Sequence, residues 1–320
     1  MKKIAARQAV KNFRSVGEPA QWSFPGEEAA TLGYEQASGE MAANRVFREF
    51  TPKIFPKFTL GENPTVFTTG SCFAREIEVA LNNMGIAIKS WSADRGISGG
   101  IFNRYNTFST INDFKFAKED NYDEDLMWDT PVGWIDYSGN SVQKDRNLLL
   151  EERKSVIEIH KNVADSDIFI MTLGLIEAWY DLQTETYLNF TPSEVLVGNL
   201  SRFECRITDY QENLEAVRNL IAYLRSNFRP DLKVILTVSP VPLNTTFSGW
   251  DIAQANTLSK AVLRTVAQAV ADDDELVDYF PSYEMVTLSD PQLAWYPDYR
   301  HVRHEMVQRI MRTFIENYLK

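Results

Sequence analysis

The chain has 320 residues, with 33 Lys and Arg against 44 Asp and Glu, for a formal net charge of −11. A composition 44% hydrophobic and 12% aromatic can bury a large core, which excludes wholesale disorder, and the length suits one large domain or two average ones. The acidic balance excludes a general nucleic-acid binder, which needs a basic footprint, and nothing beyond the opening Met1-Lys2-Lys3 offsets it.

Residues 1–60 carry scattered Gly, Pro and polar residues and read as an N-terminal arm lying over a main domain of residues 61–320, with a helix from Gly39 to Phe50. Lys2, Lys3 and Arg7 interrupt the stretch where a signal peptide needs apolar residues, so the expectation is a cytoplasmic protein. From Pro64 the pattern sharpens. Thr65-Val66-Phe67-Thr68-Thr69 is β-branched and aromatic, which predicts a buried strand. Ala74, Ile77, Ala80, Leu81 and Met84 recur at helical spacing, Gly85 ends that helix, and Ile86-Ala87-Ile88 begins a second strand. Residues 92–150 are aromatic, Asn-rich and acidic without a long period, which predicts an insertion of short helices over the site. Its aromatics (Trp91, Phe102, Tyr105, Phe108, Trp128, Trp134, Tyr137) read either as a sugar-binding wall or as the insertion's own small core.

Residues 167–174 form a continuous apolar run of the kind parallel central strands show, and the run to Ile176 is far short of the roughly 20 residues of a bilayer span. Residues 209–228 read as a helix, 233–238 as a strand, 251–270 as a helix, 276–280 as a strand and 302–318 as the closing helix. Five strands alternating with four helices predict an α/β fold, a three-layer α/β/α sandwich with a mostly parallel five-stranded sheet.

Two cysteines, Cys72 and Cys205, read as free thiols in a reducing compartment. Three histidines and no metal-ligand spacing predict neither metal nor cofactor, and no GxGxxG or P-loop follows the first strand. His160 reads as a cation at a helix end and His304 as a solvated position of the last helix.

Ligands of such sheets bind beyond the carboxyl ends of the strands. There stand Gly70-Ser71-Cys72, then Gly174-Leu175-Ile176-Glu177, then Ser239-Pro240, and last Asp298-Tyr299-Arg300-His301. Ser71 and Cys72 would head a helix, where free N–H groups and the positive helix end favour a thiolate, so the Cys72 pKa is expected below its free value. Ser71 also suits a helix N-cap. Asp298, three residues before His301, can orient its imidazole, and a base held by an orienter opposite a nucleophile is triad logic.

Gly70-Ser71-Cys72-Phe73-Ala74 with Asp298-Tyr299-Arg300-His301 resembles the GSCFA family, a bacterial branch of the SGNH/GDSL hydrolase-like superfamily, from Thr65 to His301. The resemblance implies an SGNH-like fold and an esterase or O-acyltransferase acting through a covalent acyl-enzyme, on an acyl ester such as O-acetyl of a carbohydrate or small molecule. On the superfamily's Gly-Asp-Ser block, taken without a gap, Ser71 falls on Asp and Cys72 on the nucleophile, so both stay candidates. Asp298 and His301 take the acid and base positions. The Gly-x-Asn-Asp block meets Gly174-Leu175-Ile176-Glu177, where Ile176 replaces the oxyanion-hole asparagine. The resemblance then looks to Gly99 or Gly100 for a backbone donor and to Asn103 or Asn106 for a side-chain donor. Gly174 is expected at the site, with Glu177 ordering a loop there, because a carboxylate anion cannot donate to an oxyanion. The expected partner is an acylated small molecule or glycan, with no nucleic acid and no membrane. Loss of the asparagine motivates the alternative, a catalytically inactive ligand-binding or assembly module.

Overall fold

The computed structural model describes residues 3–16, 48–90, 102–139 and 141–319. Along the chain run helix α1 (Ala6–Val16), strand β1 (Thr65–Gly70), helix α2 (Cys72–Asn83), strand β2 (Ala87–Ile88), helix α3 (Thr107–Glu119), strands β3 (Met127–Thr130) and β4 (Gly133–Asp136), and helix α4 (Arg146–Lys161). Strands β5 (Ile168–Leu173), β6 (Glu177–Asp181), β7 (Thr186–Leu188) and β8 (Phe203–Ile207) follow, then helix α5 (Tyr210–Asn227), strand β9 (Lys233–Val238), helix α6 (Ile252–Asp273), strand β10 (Val277–Tyr279) and helix α7 (His304–Tyr318). Turns and helices of four to six residues or fewer join them.

Strands β10, β9, β5, β1 and β2 pair in that order into one all-parallel sheet. Successive side chains of a strand point to opposite faces, so the register sorts them into two cores. Val66, Ile168, Ile170 and Ile235 pack with Phe73, Ile77 and Leu81 of α2 and with Met306, Val307 and Ile310 of α7. Phe67, Phe169, Met171, Val234 and Leu236 pack on the other side with Phe114 of α3, Leu214, Val217 and Leu220 of α5, and Leu263 and Val266 of α6. The result is a three-layer α/β/α sandwich with a parallel five-stranded sheet. From β1 the chain steps outward to β2, then returns to the opposite side of β1 to lay down β5, β9 and β10. That reversal opens a crevice between the carboxyl ends of β1 and β5, where a ligand is expected.

The segment between β2 and β5 differs from a set of short helices. Within it α3 has 13 residues, α4 has 16, and β3 and β4 form an antiparallel hairpin. Strands β7, β6 and β8 form a separate antiparallel sheet. These elements share a third core, built by Phe116, Tyr122, Tyr137, Leu149 and Leu188 with Trp128, Trp134 and Phe203 against it. Most of the segment's aromatics therefore fill its own interior.

A buried polar cluster ties this segment together. Arg104 meets Asp113 at 2.5 Å, Tyr137 donates to Asp113 at 2.6 Å, Arg153 faces Asp136 at 3.1 Å and Tyr122 donates to Asp136 at 3.2 Å. Asp113, beside two arginines and His160, is held far below the usual carboxylate range in spite of its burial. His160 belongs to this cluster and is not the helix-end cation the sequence predicts. Its ring is buried against Phe67 and Phe114, and burial pushes its pKa down to about 4, so it is neutral at pH 7.

Helix α1 buries none of its residues. Residues 48–60 return to the body, where the Leu60 N–H donates to the Tyr318 carbonyl at 2.7 Å and the Lys57 N–H to Asp278 at 3.0 Å. Of the helix expected from Gly39 to Phe50, residues 39–47 lie outside the described residues and 48–50 are not helical. Among the described residues no helix is long and apolar enough to cross a membrane.

Candidate active site

The turn from β1 into α2 is forced by sterics. Gly70 has φ +134°, and a β-carbon there would collide with the Thr172 carbonyl of the neighbouring strand, so only glycine fits. The next two residues are delivered to the crevice. Ser71 sits at the N-cap position, but its hydroxyl makes no capping bond; it donates instead to Ser239 Oγ at 3.1 Å, at the end of β9. Cys72 opens the helix with its side chain half-buried.

Two cavities meet at Cys72. The larger, about 1070 Å³, is lined by Ser71, Gly174, Glu177, Ser239, Lys260 and Arg300, among others, and walled by Trp179, Phe190 and Phe247. The smaller, about 540 Å³, is lined by Phe73, Glu76, Tyr296, Asp298, His301 and His304. Cys72 and Val241 line both.

Asp298 and His301 form a built pair. One carboxylate oxygen of Asp298 accepts the backbone N–H groups of Arg300 and His301, each at 3.0 Å, and the other meets His301 Nδ1 at 2.5 Å. Tyr299 holds the turn between them with φ +52°, a left-handed conformation uncommon for a residue of that size. The imidazole and the N–H groups hold Asp298 far below its ordinary pKa. The imidazole stays half exposed, and its Nε2 makes no hydrogen bond to Ser71 or Cys72 among the described residues. The turn therefore sends His301 and Asp298 to one side of Cys72 and Arg300 to the other. His304 is half-buried at the head of α7, with Nε2 3.0 Å from the Gln308 amide, rather than fully solvated.

The thiol differs from the sequence expectation. Burial raises the Cys72 pKa, and the Arg300 guanidinium with the Phe73 and Cys72 N–H groups only partly offsets it. The helix head alone does not make a resting thiolate here. Cys205, on β8, is also pushed up, to about 11, by burial and by the Glu177 carboxylate.

The remaining site candidates divide by position. Gly174 lines the larger cavity, and a β-carbon on it would strike the Tyr105 carbonyl, so the β5 turn and the Tyr105 segment touch backbone to backbone. Glu177 accepts Thr246 Oγ1 at 2.5 Å and the Phe247 N–H at 2.8 Å, which orders the loop after β9. Asn106 lines the cavity while using its amide structurally: its oxygen caps α3 through the Ser109 N–H, and its nitrogen donates to the Leu188 carbonyl at 2.9 Å. Asn103 bridges to Gly70 at the end of β1 and pairs with the Tyr105 hydroxyl; Tyr105 lines the larger cavity and Asn103 itself does not. Gly99 and Gly100, with Trp91, lie outside the described residues. Among the described residues no group of three or more His, Cys, Asp or Glu could hold a metal ion.

Sequence reasoning missed Lys260 and Arg300. Lys260 is 2% exposed, its Nζ donates to the Gly174 carbonyl at 2.8 Å, and burial lowers its pKa to about 7. The readable signal was a lysine in register with the buried Leu263 and Ala267 on the core-facing stripe of α6. Arg300 sits within the Asp-x-x-His segment itself, hidden by attention to its ends.

No curated protein matches the chain. Among solved structures, a chain from Parabacteroides merdae described as a GDSL-like lipase is similar at 11% identity and a TM-score of 0.37, covering 82% of this chain and 98% of that one. A mutant acetyl-xylooligosaccharide esterase from Geobacillus stearmophilus is similar at 11% identity and a TM-score of 0.32, covering 81% and 96%. The GSCFA family model matches residues 65–314, from the first residue of β1 to Phe314 in α7, and so takes in Gly70-Ser71-Cys72 and Asp298 to His301 alike. On that match the chain belongs to the GSCFA family.

Proposed function

We propose that the protein is an ester hydrolase or O-acyltransferase that works through an acyl-enzyme on Cys72. The observation that carries this reading is the place of Cys72, at the head of a helix beyond the parallel sheet, between a cavity bearing the Asp298–His301 pair and a larger cavity that can hold a substrate. The His301 imidazole takes the thiol proton, Sγ bonds to the acyl carbon, and the carbonyl π pair moves to oxygen. The pair then returns, the alcohol oxygen leaves, and it takes the proton from His301. Water or an acceptor hydroxyl repeats the sequence to release the acyl group. Asp298 fixes the imidazole and stabilises its cation.

The larger cavity favours an O-acylated carbohydrate. Trp179, Phe190 and Phe247 offer flat apolar faces, and the Asn244 amide and the Gln143 amide oxygen lie among them, which suits the alternating C–H faces and hydroxyl edges of a sugar. Ser71, committed to Ser239, serves as a positioning residue for the turn.

Hydrolysis of p-nitrophenyl acetate by single variants tests the assignment. Cys72→Ala is expected to abolish turnover, His301→Ala to lower it by about 10²–10⁴-fold, and Ser71→Ala to keep it within about tenfold. Full turnover in Cys72→Ala overturns it. The absent hydrogen bond from His301 to Cys72 favours a second reading, a binding module. That reading is selected if the wild type forms no acyl adduct and still binds acetylated oligosaccharides.

A further inference from the structure

Lys260 has no part in the acyl transfer as written, yet it is an anomalous residue of the site. It lies on the core-facing stripe of α6, and a buried ammonium loses several kcal/mol of hydration unless an anion pairs with it. Among the described residues no carboxylate forms an ion pair with it; Nζ makes one hydrogen bond, to the Gly174 carbonyl at 2.8 Å. The acidic group whose charge acts on it is the Cys72 thiol, which lines the same cavity.

At the Gly174 turn that Lys260 joins, two backbone donors are already spent. Ile176 is a buried aliphatic residue whose N–H is spent on Ser259 Oγ at 3.1 Å, and the Leu175 N–H is spent on the Tyr105 carbonyl at 3.0 Å. An anion forming over the Gly174 turn would therefore meet the Lys260 ammonium rather than the Leu175 or Ile176 N–H.

The geometry points to Lys260 as the catalytic cation of this site: its ammonium, anchored on the Gly174 carbonyl, balances the negative charge that forms first on the Cys72 sulfur and then on the acyl oxygen. This deepens the acyl-enzyme reading and rests on it. No bond to carbon forms or breaks at Lys260. The thiol proton goes to His301, and Lys260 holds a proton from solvent that the nascent anion stabilises. The charged groups that act on the resting Cys72 thiol are Arg300, which favours the thiolate, and Glu76, four residues along α2, which opposes it. Tyr105, its pKa raised by burial, stays a neutral phenol. Cys205 is the internal contrast, because its charged neighbour is the Glu177 anion.

The test is iodoacetamide alkylation of Cys72 across pH 6–10 in a Cys205→Ser background, compared with Lys260→Met and Lys260→Gln. Both substitutions remove the charge, and Gln keeps a donor for the Gly174 carbonyl. The expected result is that both slow alkylation at pH 7 by about tenfold or more and move the profile to higher pH, because the thiolate has lost its counter-charge. Unchanged profiles in both overturn the inference. So does a profile that shifts in Met and is restored in Gln, which marks Lys260 as a structural donor only. The readout needs no ester: an inert Cys72→Ala in turnover with unshifted Lys260 variants sinks this inference alone, and a shifted profile with full turnover in Cys72→Ala sinks the acyl-enzyme reading and leaves only the pairing of Lys260 with the Cys72 thiolate.

Discussion

Lys260→Met is expected to stabilise the fold in acid and destabilise it in alkali. Burial lowers the Lys260 pKa to about 7 from an ordinary 10.5. Between those values the unfolded chain binds more protons than the folded one, so ionisation of this lysine costs stability, with the full cost present below pH 7 and none above 10.5. At about 1.4 kcal/mol per pH unit the gap amounts to about 5 kcal/mol. Methionine removes that cost but leaves the Gly174 carbonyl without its 2.8 Å donor, a loss of about 1–3 kcal/mol at every pH. The balance is a gain of about 2–4 kcal/mol at pH 6, a crossing at about pH 8–10, and a loss of about 1–3 kcal/mol above that. Urea unfolding of wild type and variant at pH 6, 8 and 10 reads the sign directly. A difference of the same size at all three values would refute the argument, because it would mean that Lys260 titrates alike folded and unfolded.

Other consequences follow from the same physics. The pKa of His160 at about 4 lies below its ordinary 6.5, so wild-type stability should fall as pH drops from 6.5 to 4, by up to about 3 kcal/mol, and His160→Gln should flatten that slope in a pH series of thermal melts. Gly70→Ala forces a β-carbon onto the Thr172 carbonyl at φ +134°, and should cost about 2–4 kcal/mol in denaturant unfolding together with the activity. Glu177→Ala frees Thr246 and Phe247, so limited proteolysis should cut the loop after β9 faster and KM should rise with kcat within about threefold.

The sheet was legible in the sequence because its strands are short β-branched or apolar runs ending in Gly70, Gly174 and Ser239, and its helices keep an apolar stripe. What escaped was coded in polar contacts. Helix α4 buries Arg153 and His160 together with Leu149, Val156 and Ile157, so its core-facing stripe does not look apolar; Asp136 and Asp113 face those two side chains from other elements. Strand β6 begins at Glu177, directly after the apolar run that ends at Ile176, and pairs with β8 more than twenty residues on, so Glu177-Ala178-Trp179 read as a loop. Within the site, the Asp298–His301 pair could be read because three-residue spacing in one turn fixes it locally. The state of Cys72 could not, since helix-end electrostatics favour the thiolate while burial opposes it, and the residues that share its cavities, Val241 and Tyr296 among them, come from distant elements.

The central claim is that Cys72 carries the acyl group, and trapping that adduct tests it most directly. Protein mixed with p-nitrophenyl acetate at neutral pH, quenched in acid within the first turnover and digested, should carry one acetyl on the peptide that holds Ser71 and Cys72. Fragmentation should place the acetyl on the Cys72 sulfur, neutral hydroxylamine should strip it as it does a thioester, and Cys72→Ala should carry none. An acetyl on the Ser71 oxygen that survives neutral hydroxylamine and persists in Cys72→Ala would contradict the account.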